Sequence, residues 1–134
     1  MKDLLVYVAD ADALAFLRAL LNRPQALEIR PLTFDIERHP QRDAGVVQSG
    51  AELIRMNKGR YQKALLICDH HGCGREHKQT AREIEREVQD KLNSFTWEDN
   101  SAVSVLVPEL EAWLWSSRQT LASHCGVTAD ELLQ

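Results

Sequence analysis

Two short, uninterrupted apolar runs constrain the fold of this chain more than any other feature. Leu4-Leu5-Val6-Tyr7-Val8-Ala9 and Ala64-Leu65-Leu66-Ile67-Cys68 show no alternation of apolar and polar residues. A strand with water on one face alternates, so a continuous run belongs to a strand buried on both faces, as in parallel sheets. Parallel strands need long crossovers between them, usually helical. The segments between the runs should therefore contain helices.

They do carry helical patterns. After Asp10-Ala11-Asp12, the residues Leu14, Leu17, Leu20 and Leu21 recur at three- and four-residue spacing, and Asn22-Arg23-Pro24 ends the pattern. Asp10 or Asp12 is the natural N-cap. A second strand is expected from Leu27 to Ile36, with Pro31 inside it marking an edge position or a bulge. Glu37 to Asp43, with Pro40, reads as a loop. Ala44 to Met56 has Val46, Val47, Leu53 and Ile54 at roughly helical spacing, weakened by Gly45 and Gly50. Asn57 to Arg60 reads as a turn, and His70 to His77 as a loop. Ala81, Ile84, Val88 and Leu92 line one face of a strongly amphipathic helix. Ser101 to Val107 is a fourth strand, stopped by Pro108, and Glu109 to Trp115 starts a further helix. Trp113 and Trp115 read as core or interface residues. Thr128 with Glu131 reads as a helix start, so the protein is expected to continue beyond Gln134. Strands alternating with helices define an α/β domain with a largely parallel sheet covered on both faces. The length of 134 residues suits one such domain.

Composition narrows the function classes. A formal net charge of -4 supplies no global basic field for nucleic acid, although a local patch is compatible with it. Three cysteines (Cys68, Cys73 and Cys125), an odd number, argue against a disulfide framework. The N-terminal apolar run is bracketed by Asp3, Asp10 and Asp12 and is too short for a signal or a membrane span. A cytoplasmic protein with no membrane partner is the expectation.

In open α/β sheets, ligands bind beyond the carboxyl ends of the strands, where strand order reverses. That rule selects Asp10 and Asp12 after the first strand, Asp69, His70 and His71 after the third, and Glu109 and Glu111 after the fourth. Carboxylates grouped this way suit a hard cation, Mg²⁺ or Mn²⁺. Such an ion stabilises charge on a phosphoryl oxygen and orients a nucleophilic water. His71 is a candidate further ligand or a general acid or base. Asp10 and Asp12 have a simpler role as helix caps, and Glu109 as an acidic residue at a helix N-terminus. Asp69, ending a buried strand, needs partners of its own. His70 and Asp69 are neighbours in a strand and face opposite ways. Cys68, His70, His71, Cys73 and His77 have the residue types of a zinc site, but their spacing matches no usual ligand pairing. Cys68 reads as a core residue. Arg38, Arg42, Arg55, Lys58, Arg60 and Lys63 cluster in sequence, opposed only by Asp43 and Glu52, and could contact a phosphate backbone. A solvated loop and helix face explains them equally well.

The order of these motifs resembles Toprim-fold proteins. The resemblance lies in Ala15-Phe16-Leu17-Arg18-Ala19-Leu20-Leu21 after the first strand, and Asp69-x-x-Gly72 after the third. Val107-Pro108-Glu109-Leu110-Glu111-Ala112-Trp113-Leu114 follows the fourth. The closest likeness is to small stand-alone Toprim-like proteins, relatives of the OLD-family nuclease domain, often found with bacterial anti-phage systems. It implies a three-layer, mostly parallel, four-stranded Rossmann-like sheet with helices on both faces. It further implies a divalent-metal-dependent nuclease or phosphodiesterase. The family places a Glu-Gly after strand one and an Asp-x-Asp after strand three. Here Ala9 and Asp10 stand at the first, and Asp69 and His71 at the second. The resemblance therefore implies Asp10, Asp69, His71 and Glu109 as metal ligands and Asp69, His71 and Glu111 as catalytic residues. It equally allows a degenerate, non-catalytic module that binds nucleic acid, a partner protein or a second copy of itself.

Overall fold

The computed structural model describes residues 1–107. The elements expected over Glu109 to Trp115 and from Thr128 lie outside the described residues, as does Cys125. The first strand, β1 (Lys2–Val8), leads to α1 (Ala11–Leu21), then β2 (Phe34–Arg38) and α2 (Arg42–Met56). The chain continues through β3 (Tyr61–Asp69), α3 (Ala81–Ser94) and β4 (Ser101–Leu106). All strand pairs are parallel, in the order β2-β1-β3-β4. The two uninterrupted apolar runs are the two central strands, which explains why neither alternates.

From β1 the chain moves one way along the sheet to β2. It then crosses back over β1 to β3 and continues to β4. Right-handed crossovers in opposite directions place their helices on opposite faces. The core divides accordingly. On one face Ala13 and Leu17 of α1 pack with Val6, Val8, Ile36, Ile67 and Leu106. On the other, Val46, Val47 and Ile54 of α2 and Ile84, Val88 and Leu92 of α3 pack with Leu5, Ala64, Leu66 and Cys68. Residues of β1 and β3 thus alternate between two cores, as a strand buried on both faces requires. The result is the expected three-layer α/β architecture.

Local chemistry sets the helix ends. Asp10 caps α1 by accepting the Ala13 N–H at 2.8 Å. Thr80 and Glu83 form a reciprocal capping box at the start of α3. Gly50, a weak point in the helical pattern, is where α2 meets the sheet: an added Cβ would lie 3.1 Å from a Leu66 methyl.

Strand β3 extends the apolar run at both ends, to Tyr61 and Asp69, and two other boundaries differ more from the sequence reading. The second strand is Phe34–Arg38, not Leu27 to Ile36, and Pro31 precedes it. Its edge position is as expected. Asp3 fixes the approach, pairing with Arg30 at 2.8 Å and accepting the Thr33 N–H at 2.9 Å. The stretch from Glu37 to Asp43 is mostly not loop, because β2 runs through Arg38 and α2 begins at Arg42. No helix among the described residues is long and apolar enough to cross a membrane.

Candidate functional site

The chain leaves β1 for β2 on one side and enters β3 on the other, so the reversal of strand order lies between β1 and β3. Tyr7 pairs with Leu66 across these strands. Asp10 and Asp69 each follow that pair by the same number of residues and come level at the carboxyl edge. Helix α2 runs antiparallel to the strands, so its first turn, with Asp43, comes to the same edge.

Asp43 is the residue that sequence reasoning missed. Its carboxylate accepts the backbone N–H of Asp69 at 2.8 Å. Burial raises its carboxyl above the ordinary 3.8; the Asp69 N–H opposes the rise, and the charge of Asp10 adds to it. Asp10 and Asp43 are thus within electrostatic reach of each other. In sequence Asp43 looked like a counter-charge to nearby arginines. Its place in the first turn of a helix after a strand was the signal, since such turns share the strands' carboxyl edge.

The other expected residues separate. His71 is exposed, in the loop after β3. His70 shares its Nε2 with the Gln79 carbonyl at 2.8 Å, a loop-fixing contact. Glu109 and Glu111 lie outside the described residues. Cys68 and Cys73 are buried free thiols, and burial pushes both above their ordinary value, Cys68 strongly so. Cys68 is therefore a core residue, as expected.

The six-residue basic cluster does not form one patch, which corrects the sequence reading. Arg38 and Arg42 lie at the carboxyl edge, while Arg55, Lys58, Arg60 and Lys63 lie toward the amino edge. Arg42 and Arg55 sit near opposite ends of α2, about 20 Å apart at 1.5 Å per residue. Arg55 stacks on Phe95, 4.9 Å from the ring centre. At the carboxyl edge, Arg38, Arg42, His39, Asp10 and Asp12 line a polar cleft of about 450 Å³. His39 is buried. Its Nδ1 accepts the Gln41 N–H at 3.0 Å, and its Nε2 lies 2.8 Å from Ser49 Oγ, which itself donates to the Gly45 carbonyl. That arrangement assigns the neutral ring with the proton on Nε2, and burial lowers its pKa in agreement.

The donor chemistry at the β1–β3 edge is all oxygen, which suits Mg²⁺ or Mn²⁺ better than zinc. One oxygen of Asp10 and one of Asp43 are already committed to backbone N–H groups. Among the described residues, no three His, Cys, Asp or Glu side chains form a ready-made metal cluster. A cation that keeps several waters needs only one or two protein carboxylates. The residues fit that mode of binding and not a closed cage. Comparison of the chain with family models, curated proteins and solved structures finds no significant match.

Proposed function

We propose that this domain is a divalent-metal-dependent phosphodiesterase of Toprim-like architecture acting on nucleic acid. The observation that supports the reading is the Asp43 carboxylate seated on the Asp69 backbone N–H at the reversal of strand order, with Asp10 within electrostatic reach of Asp43. Mutually repelling carboxylates at such an edge favour a bound cation, which relieves the repulsion. Asp10 and Asp69 would hold Mg²⁺ or Mn²⁺, with Asp43 fixing the Asp69 backbone and adding negative charge. The ion supplies charge stabilisation at a phosphoryl oxygen and orientation of a water. His71, in the loop that follows Asp69, is the candidate proton-transfer group, and Glu109 and Glu111 are the remaining donor candidates. A role in phage defence follows from the resemblance alone.

The test is cleavage of labelled single-stranded and duplex substrates with Mn²⁺, Mg²⁺ or EDTA, comparing wild type with Asp69→Asn. Metal-dependent cleavage that falls by about 100-fold or more in the variant supports the reading, a loss of the size typical for removing a key charge-stabilising group. Cleavage that survives both EDTA and the substitution contradicts it.

A second reading has its own support. The use of Asp10 and Asp43 oxygens as structural acceptors, with Ala9 where the family has glutamate, favours a non-catalytic module that binds nucleic acid or a partner protein. Absence of any cleavage, with strand binding retained, selects this reading.

A further inference from the structure

The cleft beside the carboxylates is bordered by two arginines that make no ion pair among the described residues, although the charge of Arg42 reaches Asp43. Arg38 ends β2 and Arg42 opens α2, both exposed. Neither guanidinium makes a side-chain hydrogen bond or ion pair among the described residues, in contrast to Arg30 and Arg75, which pair with Asp3 and Glu87. Asp10 and Asp12 line the same cleft, and among the described residues neither is paired with an arginine. Its volume, about 450 Å³, is in the range of small-ligand sites.

A guanidinium offers a planar fork of donors that matches the oxygens of a phosphate or a carboxylate, and two of them border this one cleft. Asp10 and Asp12 line the same cleft and repel an anion, so the two guanidiniums have to outweigh them. A net charge of -4 supplies no global basic field for a duplex, which favours local recognition.

We infer that the Arg38–Arg42 cleft is the strand-binding site of this domain and holds a phosphodiester of a single nucleic-acid strand next to the carboxylate edge. The inference rests on the proposed phosphodiesterase reading for the identity of its ligand. It assigns strand binding to two of the six clustered basic residues and none to those at the amino edge.

The experiment is fluorescence anisotropy of a labelled single-stranded oligonucleotide in EDTA, titrated with the whole chain over a range of salt. Four proteins are compared: wild type, Arg38→Ala/Arg42→Ala, Arg38→Lys/Arg42→Lys and Lys58→Ala/Lys63→Ala. The alanine pair at the cleft should weaken binding about tenfold and lower the log–log salt slope by about 1.4, the loss of two single-strand phosphate contacts. The lysine pair should keep the salt slope while losing part of the affinity, because point charges replace the forks. The Lys58/Lys63 variant should bind within about twofold of wild type, as phosphate contacts made elsewhere are unaffected. Equal losses in the two alanine pairs, a loss confined to Lys58/Lys63, or no binding by wild type overturns the inference. So does full displacement of the strand by inorganic phosphate at matched ionic strength, which would assign the cleft to a free phosphate. A Mn²⁺ melt of the same proteins separates the two readings. Arginine-dependent strand binding without any Mn²⁺ shift in wild type removes the metal reading alone. A Mn²⁺ shift with arginine-independent strand binding removes this inference alone.

Discussion

The Asp43 carboxylate accepts the backbone N–H of Asp69 at 2.8 Å, tying the first turn of α2 to the last residue of β3. The bond joins elements distant in sequence at the edge where strand order reverses. It also keeps a carboxylate half-buried near Asp10, at an electrostatic cost.

That cost predicts a pH-dependent substitution. The Asp43 carboxyl is raised in the folded state, so folding favours its protonated form. Stability from this group is complete below the unfolded value near 3.8 and is lost as pH rises through the higher folded value. Asp43→Asn keeps an acceptor for the Asp69 N–H and removes the charge. Its thermal midpoint should exceed wild type at pH 7, and the difference should vanish below about pH 3.8, the unfolded value. Asp43→Ala should instead lose about 1–3 kcal/mol by chemical denaturation, because the Asp69 N–H is orphaned.

Gly45 is fixed by His39. A Cβ added at Gly45 would land on the His39 ring and come within 2.7 Å of the Gln41 Cβ. Helix propensity alone predicts that Gly45→Ala is stabilising by about 1 kcal/mol. The crowding predicts a net loss of about 1–3 kcal/mol, typical of overpacking, measured by urea unfolding. A stabilised Gly45→Ala would show that the ring yields at little cost.

His39 titrates with the opposite sign to Asp43. Burial lowers its pKa below the ordinary 6.5, so the unfolded chain binds the proton first as pH falls. Stability should therefore decline below about pH 6.5, down to the lower folded value. Thermal midpoints of wild type and His39→Asn between pH 5 and pH 8 should show a shallower slope in the variant across that window. Equal slopes would mean that the His39 ring is not held neutral.

Much of this architecture was legible in the sequence because burial writes a pattern. Leu4 to Ala9 and Ala64 to Cys68 are apolar throughout since both their faces are covered. Ile84, Val88 and Leu92 recur at helical spacing since one face of α3 packs on the sheet. The second strand was misplaced because Leu27 and Ile29 resemble strand residues, whereas an Asp3–Arg30–Thr33 network, invisible to periodicity, holds that stretch ahead of β2. At the site, Asp10 and Asp69 followed from strand ends, but Asp43 did not, because its role depends on which way α2 runs. The basic cluster misled for the same reason: residues close in sequence lie at opposite ends of a helix.

The most direct test of the metal reading is a thermal melt of wild type and Asp69→Asn with EDTA, Mg²⁺, Mn²⁺ or Zn²⁺. A ligand that binds only the folded state at ten times its Kd adds about 1.4 kcal/mol, or roughly 3–7 °C for a domain of this size. Mn²⁺ and Mg²⁺ should raise the wild-type midpoint by this amount and leave Asp69→Asn unmoved. A wild-type midpoint unchanged by either ion at millimolar concentration, or an equal rise in both proteins, would contradict the metal reading.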